Sequence, residues 1–189
     1  MKNFLIIILL IMAFYLAIIQ YRQNIIKMPY LRTDYHHWID EDHDCQNTRQ
    51  EVLISESLEP VDLDQKGCKV IGGKWYDPYT DRYFSDPFEL DIDHFIPLKH
   101  AHLSGADKWS KAKKINFAND LKNPHTLIAV SKSANRSKSD KSITEWLPQN
   151  QEYHCQYIKN WLEVKQNWQL SVSDSEANFV KKELEKCND

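Results

Sequence analysis

The chain has 189 residues, a formal net charge of −3, 12% aromatic and 27% charged residues. That length allows one domain with a sizeable core, and the composition excludes a disordered, collagen-like or coiled-coil protein. The charge is unevenly laid down, because residues 101–141 carry nine Lys or Arg against three Asp, leaving the remainder at −9. Local potential rather than net charge guides a polyanion, so this block suits a nucleic-acid partner on an otherwise acidic protein. The plainer alternative is a solvated lysine-rich helix.

Phe4 to Ile19 is an unbroken run of apolar residues and one Tyr, with Lys2 before it and Arg22 and Lys27 after it. Its length falls between a signal-peptide core and a spanning helix, and no Ala-x-Ala cleavage pattern follows. Residues 1–27 therefore read as a membrane anchor or a signal peptide, with the folded domain over 28–189. The expected location is outside the cytoplasm: anchored on the inner membrane facing the periplasm or exterior, or secreted if the segment is cut. Cys45, Cys68, Cys155 and Cys187 form an even, widely spaced set. With an export signal they read as two disulfides, and sequence proximity favours Cys45 with Cys68 and Cys155 with Cys187 among three connectivities. Close Cys-x-x-Cys pairs are missing, which argues against structural zinc.

Asp40, Glu41, Asp42 and Asp44 crowd just before Cys45, and helical composition follows over Thr48 to Leu58. Alternation with Gly72-Gly73 and Asp77-Pro78 predicts short strands at Lys69 to Ile71, Lys74 to Tyr76 and Arg82 to Phe84, a small antiparallel sheet. A strand begins at Leu90 and ends at Pro97. Helical signals cover Ala101 to Phe117, a second strand covers Thr126 to Val130, and Ser131 can cap a helix to Lys138. Two amphipathic helices close the chain, Glu152 to Trp168 with Tyr157, Trp161, Val164 and Trp168 on one stripe, and about Asp174 to Lys186.

The densest chemistry lies in Asp91-Ile92-Asp93-His94-Phe95-Ile96-Pro97. Along a strand Asp91 and Asp93 share a face opposite His94, and a bend at His94 and Phe95 would bring Asp93 and His94 into one cleft. Carboxylates beside an imidazole are costly to place among apolar residues without a purpose. An edge-strand acidic cluster with a surface His is the bland alternative. Asn119-Asp120-Leu121-Lys122-Asn123 follows, then Leu127 to Val130, then Asn135-Arg136-Ser137-Lys138.

Taken together, these segments resemble the HNH endonucleases: an Asp-His strand, an Asn after the connection, a strand, and a polar residue on a helix. The upstream stretch Asp44 to Leu53, Asp-Cys-x-x-Thr-Arg-x-Glu-Val-Leu, resembles a branch of small exported bacterial nucleases. The resemblance covers about Arg32 to Pro148. It implies an α+β fold with a ββα-metal core over about 88–141, a small antiparallel sheet, and surrounding helices, the C-terminal ones over about 142–187.

The resemblance also implies that Asp93 and Asn135 hold one divalent ion while His94 activates water. Asn123 or Asn119 would fix the loop carrying His94. Arg136 and Lys138 would contact phosphate, Lys138 also counting among the catalytic residues, and Asp91 and Arg49 would support the site, Arg49 pairing with Glu51. An oxygen-rich site favours Mg2+ or Mn2+ over zinc. The expected activity is hydrolysis of DNA phosphodiesters; a nuclease acting on RNA and a noncatalytic envelope module with an HNH-like fold are the alternatives. His100-x-His102 is a weak candidate metal pair, and Trp75, Tyr76 and Tyr79 would either stack on bases or fill the core.

Overall fold

A computed structural model describes residues 11–16, 18 and 28–188. The apolar segment expected within 1–27 lies mostly outside the described residues. Among the described residues, no helix is long and apolar enough to cross a membrane.

Helix α1, Thr48–Glu56, is capped by Asn47, whose side chain accepts from Gln50 N. Three two-stranded antiparallel sheets follow instead of one small sheet. They are β1 (Asp62–Leu63) with β2 (Val70–Gly72), β3 (Trp75–Asp77) with β4 (Arg82–Phe84), and β5 (Leu90–His94) with β6 (Leu127–Ser131). Trp75 and Tyr79 are core residues: Trp75 is buried and donates its indole N–H to Leu53 O at 2.7 Å.

The β5–β6 register opposes Asp91 to Val130, Asp93 to Ile128 and His94 to Leu127. Leu90 and Ile92 point into a small core shared with Val52, Leu53 and Leu127 beneath α1. The strand stops at His94, earlier than Pro97, because the chain bends and sends both Phe95 and Ile96 into the main core. Pro97 instead opens α2, Leu98–Leu103. The single helix expected over Ala101 to Phe117 is two, α2 and α3 (Lys111–Ala118). Gly105 breaks them apart at φ 116°, a conformation that a side chain disfavours.

Ser131 ends β6 and caps α4, Lys132–Lys138, with its hydroxyl accepting from Ala134 N at 3.3 Å. Strand, connection, strand and helix thus form a ββα unit. Helices α5 (His154–Asn167) and α6 (Asp174–Glu185) back it, burying Tyr157, Trp161 and Val164 against Phe95 and Phe117. The capping box of Ser173 and Glu176 starts α6. Burial would raise the Glu176 carboxyl, but hydrogen bonds from His100 and Lys165 hold it well below the carboxylate range. His100 is thereby spent on Glu176, and His102 on Met28 O and Tyr35, so the two do not act as a metal pair. Both disulfides pair as expected, Cys45 with Cys68 and Cys155 with Cys187.

Candidate active site

One cleft of about 530 Å³ opens where β5 meets α4, lined by Asp93, His94, Asn135 and Arg136 and also by Trp38 and Arg32. Pairing of β5 with β6 fixes the two acidic residues, and the Ser131 cap sets the start of the helix that presents Asn135.

His94 is buried, with Nε2 3.0 Å from Ala118 O. A carbonyl only accepts, so Nε2 carries the proton and Nδ1 is the basic nitrogen. The indole of Trp38 stacks on the imidazole at 5.5 Å and 22°, and His37 meets it edge-on at 5.7 Å. Trp38 holds φ at 63°, an uncommon backbone state for a bulky residue and one that clusters at functional sites. Burial lowers the His94 imidazole to about 3, helped by His37, Arg32 and Lys138, against the Ala118 hydrogen bond. The ring is therefore neutral at pH 7.

Asp93 is clamped from below. Tyr79 donates its hydroxyl to Oδ2 at 2.9 Å, while Lys138 Nζ sits 2.9 Å from Oδ1 and 2.7 Å from Oδ2 and also donates to His94 O at 2.9 Å. Burial pushes the Asp93 carboxyl up and the Lys138 ammonium down, and their mutual attraction opposes both shifts. Lys138 is fully buried and does not line the cleft, so the expectation that it contacts phosphate is corrected: its ammonium is consumed inside the protein.

Asn135 Nδ2 donates to Asp91 Oδ2 at 3.2 Å, which turns its amide oxygen away from that carboxylate. Arg136 is exposed, and among the described residues neither it nor Arg32 forms an ion pair, whereas Lys99 pairs with Asp140. Arg49 does not pair with Glu51. Its guanidinium donates to Pro87 O and Leu90 O at 3.0 Å, bracing the start of β5.

The two asparagines of the connection differ in what they touch. Asn119 accepts from Ile39 N and Thr48 Oγ1, at 3.2 and 2.8 Å, and donates to His36 O and Ile115 O, at 2.8 and 2.9 Å. It follows Ala118, the residue whose carbonyl orients His94. Asn123 only accepts from His125 N, and its Nδ2 is buried without a partner.

Nothing in the sequence marks Trp38 or the Ala118 carbonyl, and Tyr79 reads there only as a base-stacking or core residue, not as a donor to Asp93. Asp77 was also missed: buried, it accepts from Tyr79 N, Thr80 Oγ1 and Ser131 N and so joins the β3 turn to the start of α4. Asp77-Pro78 carried only a turn signal.

Asp93, whose two oxygens already accept from Lys138 and Tyr79 and keep their remaining lone pairs, and the Asn135 amide oxygen are hard donors of the kind that suits a divalent cation of the Mg2+ type. An imidazole, a carboxylate and an amide thus converge on one ββα unit, with Arg32 and Arg136 on the same cleft. The chain belongs to the family described as GmrSD restriction endonucleases, C-terminal domain, an HNH-type nuclease family whose match spans residues 45–182. It is similar to an uncharacterized secreted protein of Arthroderma benhamiae, 37% identical over 158 residues that cover 84% of this chain and 76% of that protein. No solved structure matches the chain. The disulfides and the secreted relative accord with export.

Proposed function

We propose that the protein is an exported endonuclease that hydrolyses DNA phosphodiesters, with His94 as general base and one divalent ion, Mg2+ or Mn2+, held by Asp93 and Asn135. The apolar run Phe4 to Ile19 would take the chain into or across a membrane. The observation that carries this reading is the gathering of His94, Asp93, Asn135 and Arg136 on one cleft, with His94 Nε2 tied to Ala118 O.

In-line hydrolysis needs a base on the side of the attacking water and positive charge on the phosphoryl oxygens. Nδ1 of His94 takes the water proton, a contribution of typically 10²- to 10⁴-fold. An anionic phosphate in the cleft raises the imidazole from its low resting value, because an adjacent negative charge favours the charged ring. Arg136 and Arg32, which form no ion pair among the described residues, line the cleft and meet the phosphate there. Lys138 and Tyr79 hold the Asp93 carboxylate in place, and Asn119 holds the segment whose carbonyl orients His94. Asp93 and Asn135 would hold the divalent ion, whose charge would polarise the phosphoryl group and stabilise the departing oxygen.

Supercoiled plasmid incubated with the purified chain and Mg2+ or Mn2+ should be nicked, chelator should stop the reaction, and an RNA substrate in parallel should be cut more slowly. Unchanged plasmid under all these conditions would favour a noncatalytic module.

A further inference from the structure

A second cluster of carboxylates lies outside the cleft. Residues 40–51 read Asp-Glu-Asp-His-Asp-Cys-Gln-Asn-Thr-Arg-Gln-Glu, with acidic residues at the first, third, fifth and twelfth places. That is the ligand spacing of a twelve-residue calcium loop leading into a helix, except that Cys45 stands where glycine is usual at the sixth place. Cys45 adopts φ 75° regardless, and its disulfide to Cys68 ties down the turn.

Spacing alone would be weak, but three observations point to a missing ligand. Oxygens of Asp40, Asp42 and Asp44 lie within 4.8 Å of one another. Asp40 Oδ1 is wholly shielded from water and has no hydrogen-bond partner. A cavity of about 240 Å³ is lined by Asp42, Gln46, Thr48 and Glu51, the third, seventh, ninth and twelfth places.

We propose that residues 40–51 bind one Ca2+ ion, through carboxylate oxygens of Asp40, Asp42, Asp44 and Glu51 and the backbone carbonyl of Gln46. Hard oxygen donors in a flexible loop suit Ca2+ better than Mg2+, which demands a smaller and more regular shell. Asp42 and Asp44 are exposed, so the affinity belongs to the extracellular range, on the order of 10⁻⁴ to 10⁻³ M. An exported protein meets calcium at such concentrations. The loop also holds Thr48, whose hydroxyl reaches Asn119 beside the carbonyl that orients His94. A bound ion would steady that contact too, a consequence that rests on the nuclease reading, whereas the site itself does not.

The test is a thermal melt of the chelator-treated full chain with added CaCl2 or MgCl2, with calorimetric titration of Ca2+. Tenfold excess over the dissociation constant should raise Tm by about 3 to 6 °C, and Mg2+ should do less. Asp42→Asn with Glu51→Gln should abolish the shift while Asn135→Ala keeps it, and relief of repulsion should leave the double variant folded. No calcium uptake by the wild type, or a shift retained in the double variant, or one lost in Asn135→Ala, would overturn the proposal. Neither readout depends on cleavage, so this result and the plasmid result fail separately.

Discussion

Lys138 places its ammonium 2.7 Å from Asp93 Oδ2, and both groups are out of solvent. Removing one partner of such a pair leaves an uncompensated buried charge, which costs more than the pair itself contributes. Lys138→Met should therefore destabilise the domain by about 3 to 5 kcal/mol in urea denaturation. The double variant Asp93→Asn with Lys138→Met should lose less than the sum of the two single changes. Strict additivity would show that the two groups do not depend on each other.

His94→Ala should lower plasmid nicking by about 10²- to 10⁴-fold while leaving the far-ultraviolet circular dichroism unchanged. Asn135→Ala should weaken activity most at low Mg2+ or Mn2+ and recover in part as the ion is raised, because a ligand and not the base is lost. Full activity in His94→Ala would remove the imidazole from the mechanism. Equal loss at every ion concentration would argue the same for Asn135 as a ligand.

The ββα unit was legible in the sequence because each part has a local signal. Leu90 and Ile92 alternate with Asp91 and Asp93, and Ser131 caps a helix free of Gly and Pro that carries Asn135. Lys138 was misread because a lysine on a polar helix normally faces water, and only the fold shows Asp93 and Tyr79 waiting beneath it. Trp38 and the Ala118 carbonyl were illegible for a related reason. Their partner, His94, lies 56 and 24 residues away in the chain, and no periodicity encodes the tertiary path that brings them together.

Asn119 and Asn123 both stood as candidates for the residue that fixes the loop behind His94. Asn119 makes four hydrogen bonds to three separate segments, so Asn119→Ala strands several buried groups and should cost about 2 to 4 kcal/mol. Its effect on kcat should exceed its effect on KM, since the base is mispositioned and not the substrate. Asn123→Ala loses one acceptor and one unpartnered N–H, and should change stability by under about 1 kcal/mol. Comparable losses in the two variants would undo this distinction.

Glu56, the last residue of α1, reaches β6, where its Oε2 accepts from Ala129 N at 2.8 Å. Burial raises its carboxyl from 4.5 to about 7, and the Ala129 hydrogen bond opposes that shift only in part. A folded-state value above the unfolded one means that the fold prefers the protonated group. The stability this confers is complete below about pH 4.5 and is lost as pH rises through about 7. Glu56→Gln keeps an oxygen for Ala129 N but never ionises. At pH 8.5 it should be more stable than the wild type by about 3 kcal/mol, and at pH 4 the two should melt alike. The difference should grow between those limits, so chemical denaturation at four or five pH values would trace it. A gap of the same size at every pH would mean that charge burial at Glu56 is not its source.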